Sequence, residues 1–179
     1  MFAGNLIRLR PYEREDAEKY RQWVNDTGIL KLIDRVLPVT KDEHLRWYER
    51  MISSKDVVIF AIEVVESKEF IGCAWLYDID YRHLKAEIRL LIGDNRCWGR
   101  GYGTEAITLL VKFAFENLNL HKVYADVLVT NERSLRAFQK VKFTQEGRFR
   151  SDRYVAGQYV DVVRLGLLRD DWSYSGCCD

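Results

Sequence analysis

Between positions 98 and 106 the chain reads Trp98-Gly99-Arg100-Gly101-Tyr102-Gly103-Thr104-Glu105-Ala106, and a long apolar run follows to position 115. Glycines at alternate positions let a backbone take positive φ and approach a ligand with no Cβ in the way. The apolar run behind them predicts a helix over about residues 102–117. Its first free N–H groups and its positive dipole end would point back into the loop. That combination suits phosphate, and a pyrophosphate above all. The middle of the chain is therefore read as a strand, a ligand loop and a buried helix, in that order.

The flanking sequence surrounds this unit with strands and helices. Residues 5–10 read as a strand stopped by Pro11, and 13–24 as a helix with an acidic first turn. A short helix is expected over 27–36. Thr40 and Glu43 form a capping box, and the helix they open carries Leu45, Tyr48 and Ile52 on one face. Residues 57–65 and 70–79 read as a hairpin. In a third strand, 83–93, Glu87, Arg89 and Leu91 share one side, and Ala86, Ile88, Leu90 and Ile92 the other. Beyond the glycine loop come a strand at 122–129, a helix at 132–141 capped by Asn131, and strands at 143–149 and 158–168. The order implies an α/β fold of the α+β kind: a mixed, mostly antiparallel central sheet of about six to seven strands, flanked by helices. One domain is expected over 1–172, with a flexible C-terminal tail at 173–179.

Composition removes several function classes. The 179 residues carry a formal net charge of +1, so no global field draws the chain to nucleic acid or an anionic membrane. The longest apolar runs, 57–62 and 106–111, are far too short to span a bilayer, and the first residues lack a secretory apolar region. Cys73, Cys97, Cys177 and Cys178 show no C-x-x-C spacing, so no metal is expected. The adjacent pair Cys177-Cys178 reads as part of an incidental tail. His44, His83 and His121 have no partners by spacing and read as surface or packing residues. A reduced, cytoplasmic protein is the expectation.

Three readings of the loop compete. A Walker phosphate loop needs a lysine before Thr104, and Gly103 stands there instead. A Rossmann fingerprint wants G-x-G-x-x-G and an acid about 20 residues on. The spacing here is G-x-G-x-G, although Asp126 lies near the end of the next strand, where a ribose partner would be wanted. Against this, the parallel β-α-β units of a dinucleotide domain do not continue after the loop.

The third reading comes from resemblance. The stretch IGDNRCWGRGYGTEA resembles the signature of the GCN5-related N-acetyltransferases, in the branch with ribosomal-protein N-terminal acetyltransferases and spermidine acetyltransferases. Trp98, Gly101 and Gly103 fall on the first, fourth and sixth positions of the family pattern Q/R-x-x-G-x-G/A. A second landmark, N-x-x-[SA] leading a helix toward an aromatic and then GF, matches Asn131 and Ser134 through Phe138 to Lys142-Phe143. The opening IRLRPYEREDAE resembles the family's first strand and helix. The resemblance covers about residues 5–172.

It implies transfer of an acetyl group from acetyl-CoA to a primary amine by direct attack. The backbone of Gly99, Arg100, Gly101, Tyr102, Gly103 and Thr104 would bind the pyrophosphate, with Arg100 adding charge. Leu90, Leu91 and Ile92 would offer main-chain hydrogen bonds to the pantetheine, as a strand edge does to an added strand. An N–H near Leu91 would polarise the acetyl carbonyl, and Asn131 would hydrogen-bond the pantetheine arm. A free amine with pKa near 10.4 must lose a proton, and the resemblance makes Glu87 the candidate base, since it lies on the strand leading to the acetyl site, where the family often places one. Its competing reading is an ion pair with a neighbouring Arg or Lys. Glu105 is explained by the helix dipole. The family's leaving-group tyrosine is replaced by Phe138, which leaves Tyr154 as a guess and a non-catalytic acyl-CoA-binding module as an alternative. Trp98 in place of Gln or Arg removes a polar phosphate contact, and Lys142 stands for a glycine. Trp23, Trp47 and Trp75 could line an acceptor pocket, with core packing the default. The expected partners are acetyl-CoA, an amine acceptor and, as an open alternative, a second copy of the chain. A protein N-terminus, a polyamine, an aminoglycoside and a sugar-nucleotide amine all stand as acceptors. The segments 25–40 and 150–158 mix charges, which leans away from polyamines.

Overall fold

A computed structural model describes residues 2–33 and 37–172. Eight strands form one sheet in the order β1-β2-β3-β4-β5-β6-β8-β7. They are β1 (Phe2–Ala3), β2 (Ile7–Pro11), β3 (Val58–Val64), β4 (Phe70–Asp80), β5 (Lys85–Ile92), β6 (Lys122–Leu128), β7 (Thr144–Val155) and β8 (Gln158–Leu168). Every neighbouring pair is antiparallel except β5 and β6. The strand beyond the expected six to seven is β1, whose two residues pair with Leu9 and Arg8. Two residues are too few to carry a period.

The helices are α1 (Asp16–Trp23), α2 (Thr27–Leu30), α3 (Lys41–Ser53), α4 (Tyr102–Lys112) and α5 (Glu132–Lys140). The capping box at α3 forms in full, with the Thr40 side chain on the Glu43 N–H and the Glu43 carboxylate on the Thr40 N–H. The helix expected over 27–36 is a single turn, α2, capped by Asp26. Residues 34–36 lie outside the described residues, as does the tail 173–179 with Cys177 and Cys178. The helix expected over 102–117 changes pitch: α4 ends at Lys112 and continues as a π turn, Phe113–Asn117. The strand expected at 143–149 extends to Val155, because pairing with β8 resumes at Arg153 after an irregularity.

Two apolar cores lie on opposite faces of the sheet. One gathers Ile7, Leu9, Leu76 and Ile88 beneath Ile107, Leu110 and Val111 of α4, all 2% exposed or less. The other is rich in aromatics and sits under α1 and α3, with Tyr12, Trp23, Phe70 and Trp75 packed together. Strand β5 divides between them as its alternation predicts, Ala86 and Ile88 toward α4 and Leu91 toward the aromatic side. Among the described residues no helix is long and apolar enough to cross a membrane.

Glu105 does more than favour a helix dipole. Its carboxylate accepts hydrogen bonds from the backbone N–H groups of Asn5, Leu6 and Ile7 at 2.8, 2.9 and 2.7 Å. The first turn of α4 is thereby tied to the bend between β1 and β2, which fixes the helix start relative to the sheet.

Candidate active site

The site begins with a fork. Strands β5 and β6 run parallel and pair only from Lys85–Lys122 to Glu87–Tyr124. Beyond Glu87 no pairing continues, and residues 88–91 face residues 125–128 across a cleft of about 530 Å³. The other edge of β5 stays paired to β4 from Glu87 to Ile92. The backbone past Glu87 therefore has one satisfied edge and one open edge, and buried main-chain groups demand partners.

Alternation decides which groups face the opening. Gly93 N–H donates to Ile71 O at 2.9 Å. With the register unbroken, the next hydrogen-bonded pair is Leu91 with Cys73. The main-chain groups of Leu91 thus turn toward β4, and those of Leu90 and Ile92 turn into the fork. This narrows the expectation of main-chain donors at Leu90, Leu91 and Ile92: the N–H groups that face the fork are those of Leu90 and Ile92, and that of Leu91 is turned to β4. One acceptor is already used, because the Trp98 indole N–H donates to Ile92 O at 2.8 Å.

The glycine loop closes the upper end of the fork. Gly99 and Gly101 take φ of +76° and +87°, a region that costs other residues roughly 1–2 kcal/mol. Gly101 is the N-cap of α4, and the helix ladder opens with Glu105 N–H to Gly101 O at 3.0 Å. The N–H groups of Tyr102, Gly103 and Thr104 precede that ladder and are the free donors at the positive end of the helix. A second cleft of about 430 Å³ is lined by Trp98, Gly99, Gly101, Tyr102, Gly103 and Thr104 together with Leu90, Leu91 and Ile92. Both clefts share Leu90, Leu91, Asn131 and Ser134, so they are two ends of one groove.

Arg100, expected to add charge, does not line either cleft. Helix α5 supplies the cations instead: Arg133, Arg136 and Lys140 border the loop cleft. Their i, i+3, i+7 spacing was the available signal, since such positions share one helix face. The Arg133 guanidinium lies 3.6 Å from the centre of the Trp98 ring, so the residue that replaced a polar phosphate ligand now seats an arginine. Asn131 caps α5, its amide oxygen accepting from Ser134 N–H at 3.2 Å. With the oxygen committed to the helix, the donor end of the amide is what the groove can use.

Below the fork, Glu87 lies on the face away from α4. Its carboxylate accepts from Arg89 Nε at 2.9 Å and Nη2 at 2.8 Å. Burial works against the Arg89 charge, but the hydrogen bonds and charge of Glu87 outweigh it and hold the guanidinium above its ordinary range. That guanidinium lies 4.0 Å from the Tyr77 ring centre. Both readings of Glu87 thus meet in one place: it is paired with a neighbouring arginine, and it lines the cleft. Asp126, the ribose partner of the Rossmann alternative, is held by Arg164 through Nε and Nη2 at 2.8 and 2.6 Å. With a single parallel strand pair and Asp126 so committed, that alternative is set aside.

The remaining candidates sort by burial. Phe138 is 2% exposed, borders the cleft and packs edge-on against Phe143. Tyr154 packs at a tilt against Tyr159 in the β7–β8 hairpin and lines neither cleft, so the guess at this tyrosine is not supported; the tyrosines lining the fork cleft are Tyr20 and Tyr77. Trp47 and Trp75 line the cleft, whereas Trp23 packs on Phe70 in the core. Tyr20 and Trp47 stack with centres 5.4 Å apart and planes 2° apart. His44 is a packing residue, 3% exposed, and its Nε2 lies 3.2 Å from the Tyr12 hydroxyl.

Comparison with known proteins agrees with this geometry. Residues 7–144 match the model of the acetyltransferase (GNAT) domain. The chain is 30% identical over 171 residues to the uncharacterized N-acetyltransferase p20 of Bacillus licheniformis, covering 93% of this chain and 95% of that one. It is 26% identical to spermidine N(1)-acetyltransferase of Escherichia coli K12, over 96% and 91% of the two chains. The crystal structure of spermidine N-acetyltransferase from Vibrio cholerae in complex with CoA and spermine superposes with a TM-score of 0.88 at 27% identity, covering 94% and 98%. The chain belongs to the GCN5-related N-acetyltransferase family and is an acetyl-CoA-dependent N-acetyltransferase.

Proposed function

We propose that this enzyme acetylates a small-molecule primary amine, with Glu87 taking the proton of the attacking amine. The observation that carries the reading is the fork between β5 and β6, which opens immediately beyond Glu87. Acetyl-CoA supplies an acyl group activated as a thioester. Leu90 and Ile92 offer main-chain donors into the fork and would hold the pantetheine and polarise the acetyl carbonyl. The N–H groups of Tyr102, Gly103 and Thr104 would bind the pyrophosphate, with Arg133, Arg136 and Lys140 supplying charge. Asn131 and Ser134 border both ends of the groove and would fix the arm between them. Phe138 gives the acyl end an apolar wall.

Glu87 acts as general base, directly or through one water, as the amine nitrogen bonds to the carbonyl carbon and the C–S bond breaks. The thiolate leaves with its electron pair. A CoA thiol is acidic enough to leave without a dedicated acid, so Phe138 in place of a phenol does not block the reaction. The acceptor side supports a small molecule: about 530 Å³ is the size of a ligand pocket, and its walls include Tyr20, Trp47, Trp75 and Tyr77. A second copy of the chain is a proposed partner, supported by the exposed Phe149, Tyr154 and Tyr159 on the β7–β8 hairpin.

The test is release of free CoA from acetyl-CoA across a panel of small amines and N-terminal peptides. Small amines are expected to be turned over and peptides not. Turnover of peptides alone would overturn the small-molecule reading.

A further inference from the structure

Among the described residues, the acceptor cleft has no carboxylate to spare. Glu87 and Asp126 are the two described acidic residues lining it, and each is gripped by two hydrogen bonds from an arginine, Arg89 and Arg164. Arg89 and Arg153 line the same cleft. Arg153 is itself paired with Asp152, and Arg164 stands behind Asp126, so the described charges of the lining cancel in pairs. A polycation entering here finds each carboxylate of the described lining already compensated, so none is left over to attract it. The walls beside these charges are aromatic, with Tyr20 and Trp47 stacked at one side and Tyr77 under Arg89.

Arg89 is the residue best suited to answer an anion. Its side chain is 50% exposed, against 14% for the Glu87 side chain it covers. A guanidinium carries five N–H donors in a planar fork, and two of them reach Glu87. Those two bonds occupy part of the acceptor capacity that Glu87 needs to receive a proton. A second anion beside Arg89 would compete for the same fork and draw it off the carboxylate.

We propose that the acceptor is a primary amine on an aromatic or apolar body that also bears a carboxylate or phosphate, and that Arg89 anchors this anion and thereby uncovers Glu87. The substrate's own charge then completes the site. As the amine nitrogen bonds to the acetyl carbon and the C–S bond breaks, the amine proton passes to the uncovered Glu87. The thiolate takes a proton from solvent. Arg89 acts through Glu87 and through the ligand's anion, so it is both a positioning and a specificity residue. The uncovering step rests on Glu87 being the base; the anchoring step does not.

The experiment measures kcat and KM separately for matched amines: phenylalanine against phenethylamine, O-phosphotyramine against tyramine, and spermidine as the polycation. The first pair reads carboxylate and the second phosphate. The wild-type enzyme is compared with Arg89→Gln, Arg89→Lys and Glu87→Gln, each checked for acetyl-CoA binding by calorimetry. In at least one pair the anionic member should have a kcat/KM about tenfold or more above its neutral partner and above spermidine, the size of one charge-assisted hydrogen bond. Arg89→Gln should raise KM about tenfold for the anionic member and leave that of the neutral partner nearly unchanged, with Arg89→Lys recovering part of the loss. Preference for spermidine or for the neutral amine in every pair would overturn the proposal. So would an Arg89→Gln enzyme whose KM changes alike for both members. If Glu87→Gln keeps its kcat while the Arg89 effect on KM persists, the base assignment fails and the anchor stands.

Discussion

Glu105 shows how one side chain sets the position of a site it does not enter. Three backbone N–H groups converge on its carboxylate, and hydrogen bonds to a charged group contribute about 1.5–3 kcal/mol each. Because the three are coupled, Glu105→Ala is expected to lower stability by about 3 kcal/mol rather than by their sum. Urea unfolding measures it, and a change below about 1 kcal/mol would show that the tie is weak. The sequence explained Glu105 by its place in a first helical turn, since its partners lie 98 to 100 residues away and no period connects them. Arg133 on Trp98 was hidden for the same reason. Alternation along β5 marked the face of Glu87, and its proposed role came from the family resemblance. Its grip by Arg89 two residues on is a same-face contact that alternation allows but does not require.

The fork between β5 and β6 is a property of elements. Hydrophobic alternation found both strands, but where their pairing stops depends on register and on what packs above, which no window of sequence contains. The glycine loop was the reverse case, because positive φ leaves a mark in composition. Of its three glycines, Gly99 and Gly101 take that conformation and Gly103 is helical. Gly101→Ala is therefore expected to destabilise by about 1–2 kcal/mol and to weaken acetyl-CoA binding, as calorimetry on the folded variant would show. Unchanged affinity would mean that the helix N-terminus is not the phosphate site. At α3, Thr40→Ala should cost about 1 kcal/mol through loss of the cap, with no effect on acetyl-CoA affinity.

At the scale of the whole molecule, two cores clamp one sheet, and the groove runs where the sheet opens between them. Element order and fold class were readable because the long strands and α4 repeat their periods over many residues. The two-residue β1 and the far half of β7 were not, since only pairing with a partner strand defines them. Surface carboxylates set the acid limit of this structure. Asp94 is held below its ordinary value of 3.8 by the side chain of Arg96. Asp80 is lowered by the His83 backbone and ring, and Asp161 by the Ser151 N–H and then Arg148. Groups lowered in the folded state add stability that is fully present above their unfolded value and is lost as pH falls through the folded one. The thermal midpoint is thus expected to hold from pH 7 to about 5 and to drop below about pH 4. A midpoint that is flat to pH 2.5 would contradict it.

The central claim is that acetyl transfer occurs in the fork with Glu87 receiving the amine proton. The most direct measurement is kcat for Glu87→Gln beside its calorimetric affinity for acetyl-CoA. We predict an affinity within about twofold of wild type and a kcat lower by about 100-fold or more, the usual share of a general base. A kcat within about threefold of wild type, with acetyl-CoA still bound, would contradict the account.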